Sequence, residues 1–141
     1  MPFENPSRDR IKTLLEQAGN IAVVGLSDST DRTSHMVASA MQDRGYRIIP
    51  VNPNASEILG EQCYPSLTDI PEQVDIVNVF RRSDQVLPIA EQAVQIKAKV
   101  FWLQQGIINE EAAQLCQANG IEVIMDRCIK VEEAITRPVR Q

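Results

Sequence analysis

The chain alternates short apolar runs with longer segments in which apolar residues recur every three or four positions. Five of the runs predict strands, and the first of them, Ile21-Ala22-Val23-Val24, is uninterrupted and rich in β-branched residues, which is typical of a strand buried on both faces of a sheet. These runs predict strands at residues 21–24, 47–51, 75–80, 100–103 and 121–125. The segments between them have the periodicity of amphipathic helices. The pattern therefore predicts strands and helices in alternation.

Helix-capping signals support this assignment. Ser7 is a favourable N-cap for a first helix, and a second helix is expected to begin near Ser34. Asn109 is followed by two glutamates, and an amide cap with acidic neighbours suits the positive end of a helix dipole. Gly120 stands where that later helix is expected to end. Residues 56–64 lack such signals and are expected to form an irregular connection.

The order of these elements predicts the fold. Strands that alternate with helices imply right-handed crossovers and a mostly parallel sheet with helices on both faces. We therefore predict an α/β, doubly wound, Rossmann-like fold. A length of 141 residues suits one domain, which we place over residues 1–141, because domains of about 100 to 150 residues are the commonest.

Polar clusters follow nearly every predicted strand. They are Gly25-Leu26-Ser27 running to Arg32, Asn52-Pro53-Asn54, Phe80-Arg81-Arg82, Gln104-Gln105-Gly106 and Asp126-Arg127-Cys128. In an open parallel sheet the carboxyl ends of the strands line one crevice, where ligands bind. Arginines gathered there in a chain of net charge −5 indicate a bound anion with several phosphates.

The loop after the first strand matches a dinucleotide-binding turn only in part. Gly25 occupies the first position of the pattern G-x-G-x-x-G, but the later glycines are absent. Without them the backbone is less free to approach a pyrophosphate, which argues against NAD. A helix that begins near Ser34 still directs free N–H groups into the crevice, and Arg32 can add a bidentate phosphate contact. We therefore expect this loop to bind phosphate.

The composition argues against several other classes of function. With a pI near 4.9, the chain lacks the surface of Lys and Arg that a broad nucleic-acid footprint requires. No apolar run approaches the ~18 residues that span a bilayer, and the first residues do not have the layout of a signal peptide. Three cysteines without CxxC spacing and one histidine predict neither a disulfide framework nor a metal site. We expect a cytoplasmic protein without a membrane or nucleic-acid partner.

Two residues raise a catalytic alternative. His35 and Cys128 both follow strands and are expected near the crevice, where a thiol and an imidazole could act as nucleophile and base. The sequence does not show whether the two side chains come within bonding distance. Catalysis by this pair remains an alternative at this stage.

Short motifs follow one another in a fixed order along nearly the whole chain. They are Val23-Val24-Gly25-Leu26-Ser27, Arg32 with Ser34, Val51-Asn52-Pro53, Ile58-Leu59-Gly60, Tyr64-Pro65-Ser66-Leu67, Val74-Asp75-Ile76-Val77, Val79-Phe80-Arg81-Arg82, Val100-Phe101-Trp102-Leu103-Gln104 with Gly106, Asn109-Glu110-Glu111-Ala112-Ala113, and Met125-Asp126-Arg127-Cys128-Ile129-Lys130. Each motif is weak alone, but the ordered set is specific. It resembles the stand-alone coenzyme A-binding proteins, which are similar to the N-terminal domain of the succinyl-CoA synthetase α subunit.

The resemblance implies that the chain binds CoA through its ADP-like half and its phosphates. It implies that the first turn, Arg32 and Asn52-Pro53 lie nearest the nucleotide, with Val79, Phe80 and Arg81 along the end of the third strand. With the strand-end clusters, the candidate contacts are Gly25, Leu26, Ser27, Arg32, Ser34, Asn52, Pro53, Val79, Phe80, Arg81, Arg82, Gln104, Gly106 and Arg127. The synthetases carry a phosphorylated histidine on a following domain, so the resemblance implies no autonomous synthetase chemistry here.

Three functions remain open from the sequence. The leading one is binding of CoA or an acyl-CoA without catalysis. The second is a thiol-exchange or acyl-transfer enzyme that uses Cys128 or His35, and the third is an NAD(P)-binding Rossmann protein. The acyl group and any protein partner are left undetermined.

Overall fold

A computed structural model of the chain describes residues 2–140. Its strands are β1 (Asn20–Val24), β2 (Arg47–Val51), β3 (Glu57–Ile58), β4 (Glu61–Gln62), β5 (Ile76–Val79), β6 (Val100–Leu103) and β7 (Glu122–Ile124). Its helices are α1 (Arg8–Gln17), α2 (Thr33–Asp43), α3 (Val86–Gln95), α4 (Glu110–Ala118) and α5 (Ile129–Thr136). Single 3-10 turns occupy Leu67–Asp69 and Ser83–Gln85. Within the described residues, none of the helices has the length and apolar character needed to cross a bilayer.

Five strands form one parallel sheet in the order β2-β1-β5-β6-β7. The chain passes from β1 outward to β2 and then returns to the other side of β1, where β5, β6 and β7 follow in sequence order. The strand order therefore reverses between β1 and β5, which is the point where open α/β sheets form their ligand crevice. The parallel, Rossmann-like sheet predicted from the sequence is confirmed.

Helices cover both faces of this sheet. Successive side chains of a strand point to opposite faces, so Ile21 and Val23 of β1 pack with α1, α2 and α5. Ala22 and Val24 of the same strand pack with α3 and α4. Both sets are buried, and this explains why the strands are continuous apolar runs in the sequence. The doubly wound arrangement is confirmed.

The connection over residues 56–64 is not wholly irregular, contrary to the prediction. Strands β3 and β4 pair antiparallel there as a two-stranded hairpin. Leu59 and Gly60 form its turn with φ values of 56° and 75°, and two successive positive values favour a tight hairpin turn. A leucine at the first turn position carries no turn signal, so the sequence pattern missed the hairpin.

The predicted helix caps at Ser7 and Asn109 are confirmed. Ser7 Oγ accepts a hydrogen bond from Arg10 N at 3.2 Å, and Asn109 Oδ1 accepts one from Ala112 N at 2.9 Å. Each bond satisfies a backbone donor that has no partner inside its own helix.

Tyr46 makes the fold less stable at alkaline pH. Its hydroxyl is buried and donates a hydrogen bond to Leu15 O at 2.9 Å. Burial raises the pKa of Tyr46 to about 12. Tyrosine in an unfolded chain ionises near pH 10, so the stability gained by keeping Tyr46 neutral is complete below about pH 10. That stability is lost as the pH rises from about 10 to about 12.

We expect wild-type protein to lose about 2 to 3 kcal/mol of unfolding free energy across that pH range through Tyr46. Tyr46→Phe removes the ionising group and its share of the alkaline loss, at a cost of about 1 kcal/mol at neutral pH for the lost hydrogen bond. Urea denaturation at about pH 8 and about pH 11 measures both effects, and about half of the loss through Tyr46 is expected by about pH 11. An alkaline loss at least as large remains in the variant, because burial also raises the pKa of Cys116 from about 9 to about 12. Parallel pH profiles for the two proteins would contradict the prediction.

Candidate ligand-binding cleft

The ends of β1 and β5 touch at the reversal of the strand order. Gly25 N donates to Val51 O at 3.0 Å, and Phe80 N donates to Val24 O at 2.9 Å, so three adjacent strand ends are joined there. Gly25 has a φ of 84°, and a Cβ at this position would lie 2.5 Å from Phe80 O. Glycine is therefore required here both for the backbone conformation and for the close approach of β5.

A cleft of about 530 Å³, which we call the loop cleft, opens beside this contact. Its lining residues are Gly25, Ser27, Asp28, Ser29, Arg32, Thr33, Ser34 and Phe80. The backbone of Ser27 is held from both sides, since its N–H donates to Ser34 Oγ at 3.0 Å and its carbonyl bonds to His35 Nδ1 at 2.9 Å. Because a carbonyl oxygen only accepts, His35 Nδ1 carries the proton. The first turn of α2 thus positions the loop.

The beginning of α2 offers donors to this cleft. The helix begins at Thr33, next to the predicted Ser34, and its N-cap residue Arg32 makes no side-chain capping bond. The first N–H groups of a helix lack partners inside the helix and carry the positive end of its dipole. Thr33 and Ser34 both line the cleft, so these groups lie beside it. The arrangement suits an anion.

A carboxylate in the same loop stays ionised. The Ser29 hydroxyl donates a hydrogen bond to Asp31, and this bond, with smaller contributions from the backbone and Arg32, lowers the pKa of Asp31. Asp31 does not line the loop cleft. Asp31 therefore stabilises the loop conformation through Ser29, from outside the cleft.

A second cleft of about 660 Å³, which we call the amide cleft, adjoins the first. Its lining residues are Thr33, Phe80, Arg81, Arg82, Ser83, Gln104, Gln105, Gly106, Ile107 and Cys128. Thr33 and Phe80 belong to both clefts, so the two form one continuous depression along the ends of β1, β5 and β6. The end of β6 is braced by Asp126 Oδ1, which accepts from Gly106 N at 2.7 Å.

Two arginines of this depression have no acidic partner within the described residues. Within residues 2–140, neither Arg32 nor Arg81 forms a salt bridge. In contrast, four arginines outside the clefts pair with glutamates: Arg8, Arg10, Arg44 and Arg47. Arg82 lies 3.6 Å from Asp84, and both side chains are 75% exposed, so that pair is weak. Arg32 and Arg81 therefore present positive charge that is available to a ligand.

Several predicted contact residues lie outside the clefts. Leu26 and Val79 are buried in the hydrophobic core, so only their backbone reaches the strand ends. Asn52 Nδ2 donates to Leu26 O at 2.9 Å, and Asn52 therefore braces one strand-end loop against another. Pro53 is exposed and lines neither cleft.

Arg127 lies apart from Arg32 and Arg81. It lines a different cleft with residues of the N-terminal segment, and its guanidinium donates to Asp126 O at 2.8 Å. Asp126 adopts a φ of 59°, and this left-handed residue turns the chain at the end of β7. The structure brings Gly25, Ser27, Ser34, Phe80, Arg82, Gln104 and Gly106 together with Arg32 and Arg81, but not Arg127.

The structure places the two residues of the catalytic alternative in different surroundings. Cys128 lines the amide cleft, whereas His35 lines neither cleft and holds the carbonyl of Ser27. The sequence analysis did not select Thr33, Ser83 or Ile107, which also line the clefts. Each of these residues lies next to a strand-end cluster in the sequence, and that position could have identified them.

Comparison with known proteins identifies the family. A family model described as a CoA binding domain matches residues 19–134. The protein YneT of Bacillus subtilis (strain 168) is 55% identical over 135 residues, which cover 96% of this chain and 100% of YneT. The ADP-forming acetate–CoA ligase I of Archaeoglobus fulgidus is 25% identical over 119 residues, which cover 77% of this chain and 17% of the ligase.

Solved structures agree with these sequence matches. A hypothetical protein from Pyrococcus horikoshii OT3 superimposes with a TM-score of 0.92 at 31% identity, over 97% of this chain and 96% of that chain. The resemblance carried by the ordered motifs is confirmed, because the family model extends from the start of β1 into α5. The chain belongs to the CoA-binding domain family.

Proposed function

We propose that this protein binds CoA or an acyl-CoA in the joined loop and amide clefts. The observation that carries the proposal is that Arg32 and Arg81 line one continuous depression and form no salt bridge within the described residues. CoA carries a pyrophosphate and a 3′-phosphate, and guanidinium groups bind phosphate oxygens through paired, charge-assisted hydrogen bonds. Membership of the CoA-binding domain family supports the same ligand.

The two clefts suit the two halves of CoA. The loop cleft has the free N–H groups of α2 and Arg32, so we place the phosphates and the nucleotide there. The amide cleft combines the apolar surfaces of Phe80 and Ile107 with the side chain of Gln104, and we place the pantetheine arm there. An arm with two amide groups and a hydrocarbon backbone requires both kinds of contact.

We further propose that the protein acts as a single binding domain in the cytoplasm and does not catalyse ligation itself. All three cysteines are free, as expected in a reducing compartment. Titration of the purified protein with CoA, acetyl-CoA, AMP and NADH by calorimetry tests the proposal. Saturable heat with CoA or acetyl-CoA is expected, with weaker binding of AMP. Tight binding of NADH without binding of CoA would overturn it and would favour the NAD(P) alternative.

Arg32→Ala is expected to weaken CoA binding about tenfold, since a charge-assisted hydrogen bond contributes about 1.5 kcal/mol or more. Arg32 is exposed at the rim of the loop cleft, and we assign it to the 3′-phosphate. Dephospho-CoA lacks that phosphate, so its affinity should change much less. Calorimetry with both ligands measures the difference. Equal losses for the two ligands would move Arg32 to the pyrophosphate.

A further inference from the structure

The backbone on both sides of Cys128 is fixed by buried side chains from the end of β6. Trp102 Nε1 donates to Arg127 O at 2.8 Å, and Gln104 Oε1 accepts from Ile129 N at 3.3 Å. Trp102 and Gln104 are both buried. Buried residues therefore fix the position of the Cys128 thiol at the amide cleft.

Gln104 holds an unpaired donor at the same cleft. It is 5% exposed, and its Oε1 accepts from both Asn78 Nδ2 and Ile129 N. A backbone N–H only donates, so the amide orientation is settled and Nε2 is the free end. Within residues 2–140, Nε2 makes no hydrogen bond. In that part of the chain, the side-chain atom that is both sealed from solvent and without a partner is Arg140 Nε, so Gln104 Nε2 is open to solvent. Gln104 lines the amide cleft, so this donor is free to bind a ligand that carries an acceptor there.

The other two thiols are placed differently. Cys63 and Cys116 are buried, and burial raises the pKa of both. A thiol must lose its proton before it attacks a disulfide, so these two cysteines are poor nucleophiles at neutral pH. Cys128 is partly exposed and lines the amide cleft, which the other two do not.

We propose that Cys128 exchanges with the disulfide form of CoA and forms a mixed disulfide with the bound cofactor. The inference rests on the proposed function, because it requires CoA in the amide cleft. Gln104 Nε2 would donate to a carbonyl of the pantetheine arm and so hold the sulfur end of the ligand beside Cys128. The hydrogen bonds that Trp102 and Gln104 make with the backbone on either side of Cys128 keep the thiol in place for attack.

The exchange balances without an added oxidant. The Cys128 thiol gives its proton to solvent, and its sulfur attacks one sulfur of the CoA disulfide. A bond forms between Cys128 Sγ and that sulfur, the original S–S bond breaks, and the departing CoA thiolate takes up a proton. The protein thiol is oxidised and one half of the CoA disulfide is reduced. Excess free CoA or another thiol reverses the step.

Intact-mass spectrometry with peptide mapping tests the proposal. The protein is incubated with CoA disulfide or with pantethine, the disulfide of the same arm without the nucleotide. Binding raises the local concentration of the reacting disulfide, so CoA disulfide should label Cys128 at least about tenfold faster than pantethine. An excess of a CoA thioether, which has the nucleotide but no free thiol, should remove the difference. Equal rates with the two disulfides, or an adduct that maps to Cys63 or Cys116, would overturn the proposal.

Matched variants and a separate binding measurement complete the test. Cys128→Ser should abolish the adduct, whereas Cys63→Ser should retain it at the wild-type rate. Peptide mapping of the wild-type protein gives the same answer if a variant fails to fold. Calorimetry with the CoA thioether separates the two proposals. Binding without preferential labelling rejects the exchange alone, whereas no binding rejects the proposed function and the exchange with it.

Discussion

Gly25→Ala is expected to destabilise the protein by about 2 to 4 kcal/mol and to abolish most ligand binding. At a φ of 84°, an alanine adopts a left-handed conformation that costs about 1 to 2 kcal/mol. Its Cβ would also lie 2.5 Å from Phe80 O, which is backbone and cannot rotate away. Because Phe80 lines both clefts, the shift of β5 needed to admit the methyl group displaces the binding surface.

Gly120→Ala is the matched control for this variant. Gly120 has a similar φ of 76°, but a Cβ there would meet no atom within 4 Å, and it lies outside both clefts. We expect this change to cost about 1 to 2 kcal/mol from conformational strain alone. Urea denaturation measures the loss of unfolding free energy in each variant. The difference between the two losses is the cost of disturbing the contact between β1 and β5. Equal destabilisation would show that the contact relaxes at little cost.

Arg81→Ala is expected to weaken CoA binding by about 1.5 to 3 kcal/mol, which is about 10- to 150-fold in Kd. Arg81 lies two residues beyond the end of β5, and its Nε would lie 3.4 Å from a Cβ at Gly25, so the guanidinium extends over the end of β1. It is half-buried and unpaired within the described chain, and a desolvated charge of this kind binds phosphate more strongly than an exposed one. Calorimetry at two salt concentrations checks the result, and the variant should show the weaker salt dependence.

Arg47→Ala is the matched control for Arg81→Ala, because it also removes one positive charge. Arg47 is the first residue of β2, at the end of the strands opposite the clefts, and it pairs with Glu72. Its removal changes the net charge by the same amount but touches neither cleft, so the Kd for CoA should stay within about twofold. A similar loss of affinity in both variants would indicate a general effect of charge. No loss in Arg81→Ala would remove Arg81 from the proposed site.

The fold was largely predictable because its signals are local. Strands buried on both faces require continuous apolar residues, and the positions of β1, β2, β5, β6 and β7 were predicted to within one or two residues. The hairpin of β3 and β4 was missed, since its turn depends on a leucine with positive φ. The caps at Ser7 and Asn109 were correct because each needs only a side chain and a backbone N–H three residues apart.

The candidate site was predictable only in outline. An asparagine after a strand looks the same in sequence whether it binds a ligand or braces a loop, and Asn52 does the latter. A histidine near a crevice suggested a base, but the bond from His35 to Ser27 O is a contact between a helix and a loop. Such roles depend on which backbone groups lie beside the side chain, and residue type does not carry that information.

By itself the sequence determined the alternation of strands and helices, the family, and the presence of polar groups after the strands. Only the tertiary structure decided which of those groups meet. The order β2-β1-β5-β6-β7 makes β1 and β5 neighbours and brings Arg32 and Arg81 to one depression. The same order leaves β7 at the sheet edge, where Asp126 turns the chain and Arg127 faces another cleft. Strand order is set by packing between distant segments, so the convergence of charges follows from long-range contacts that no local pattern records.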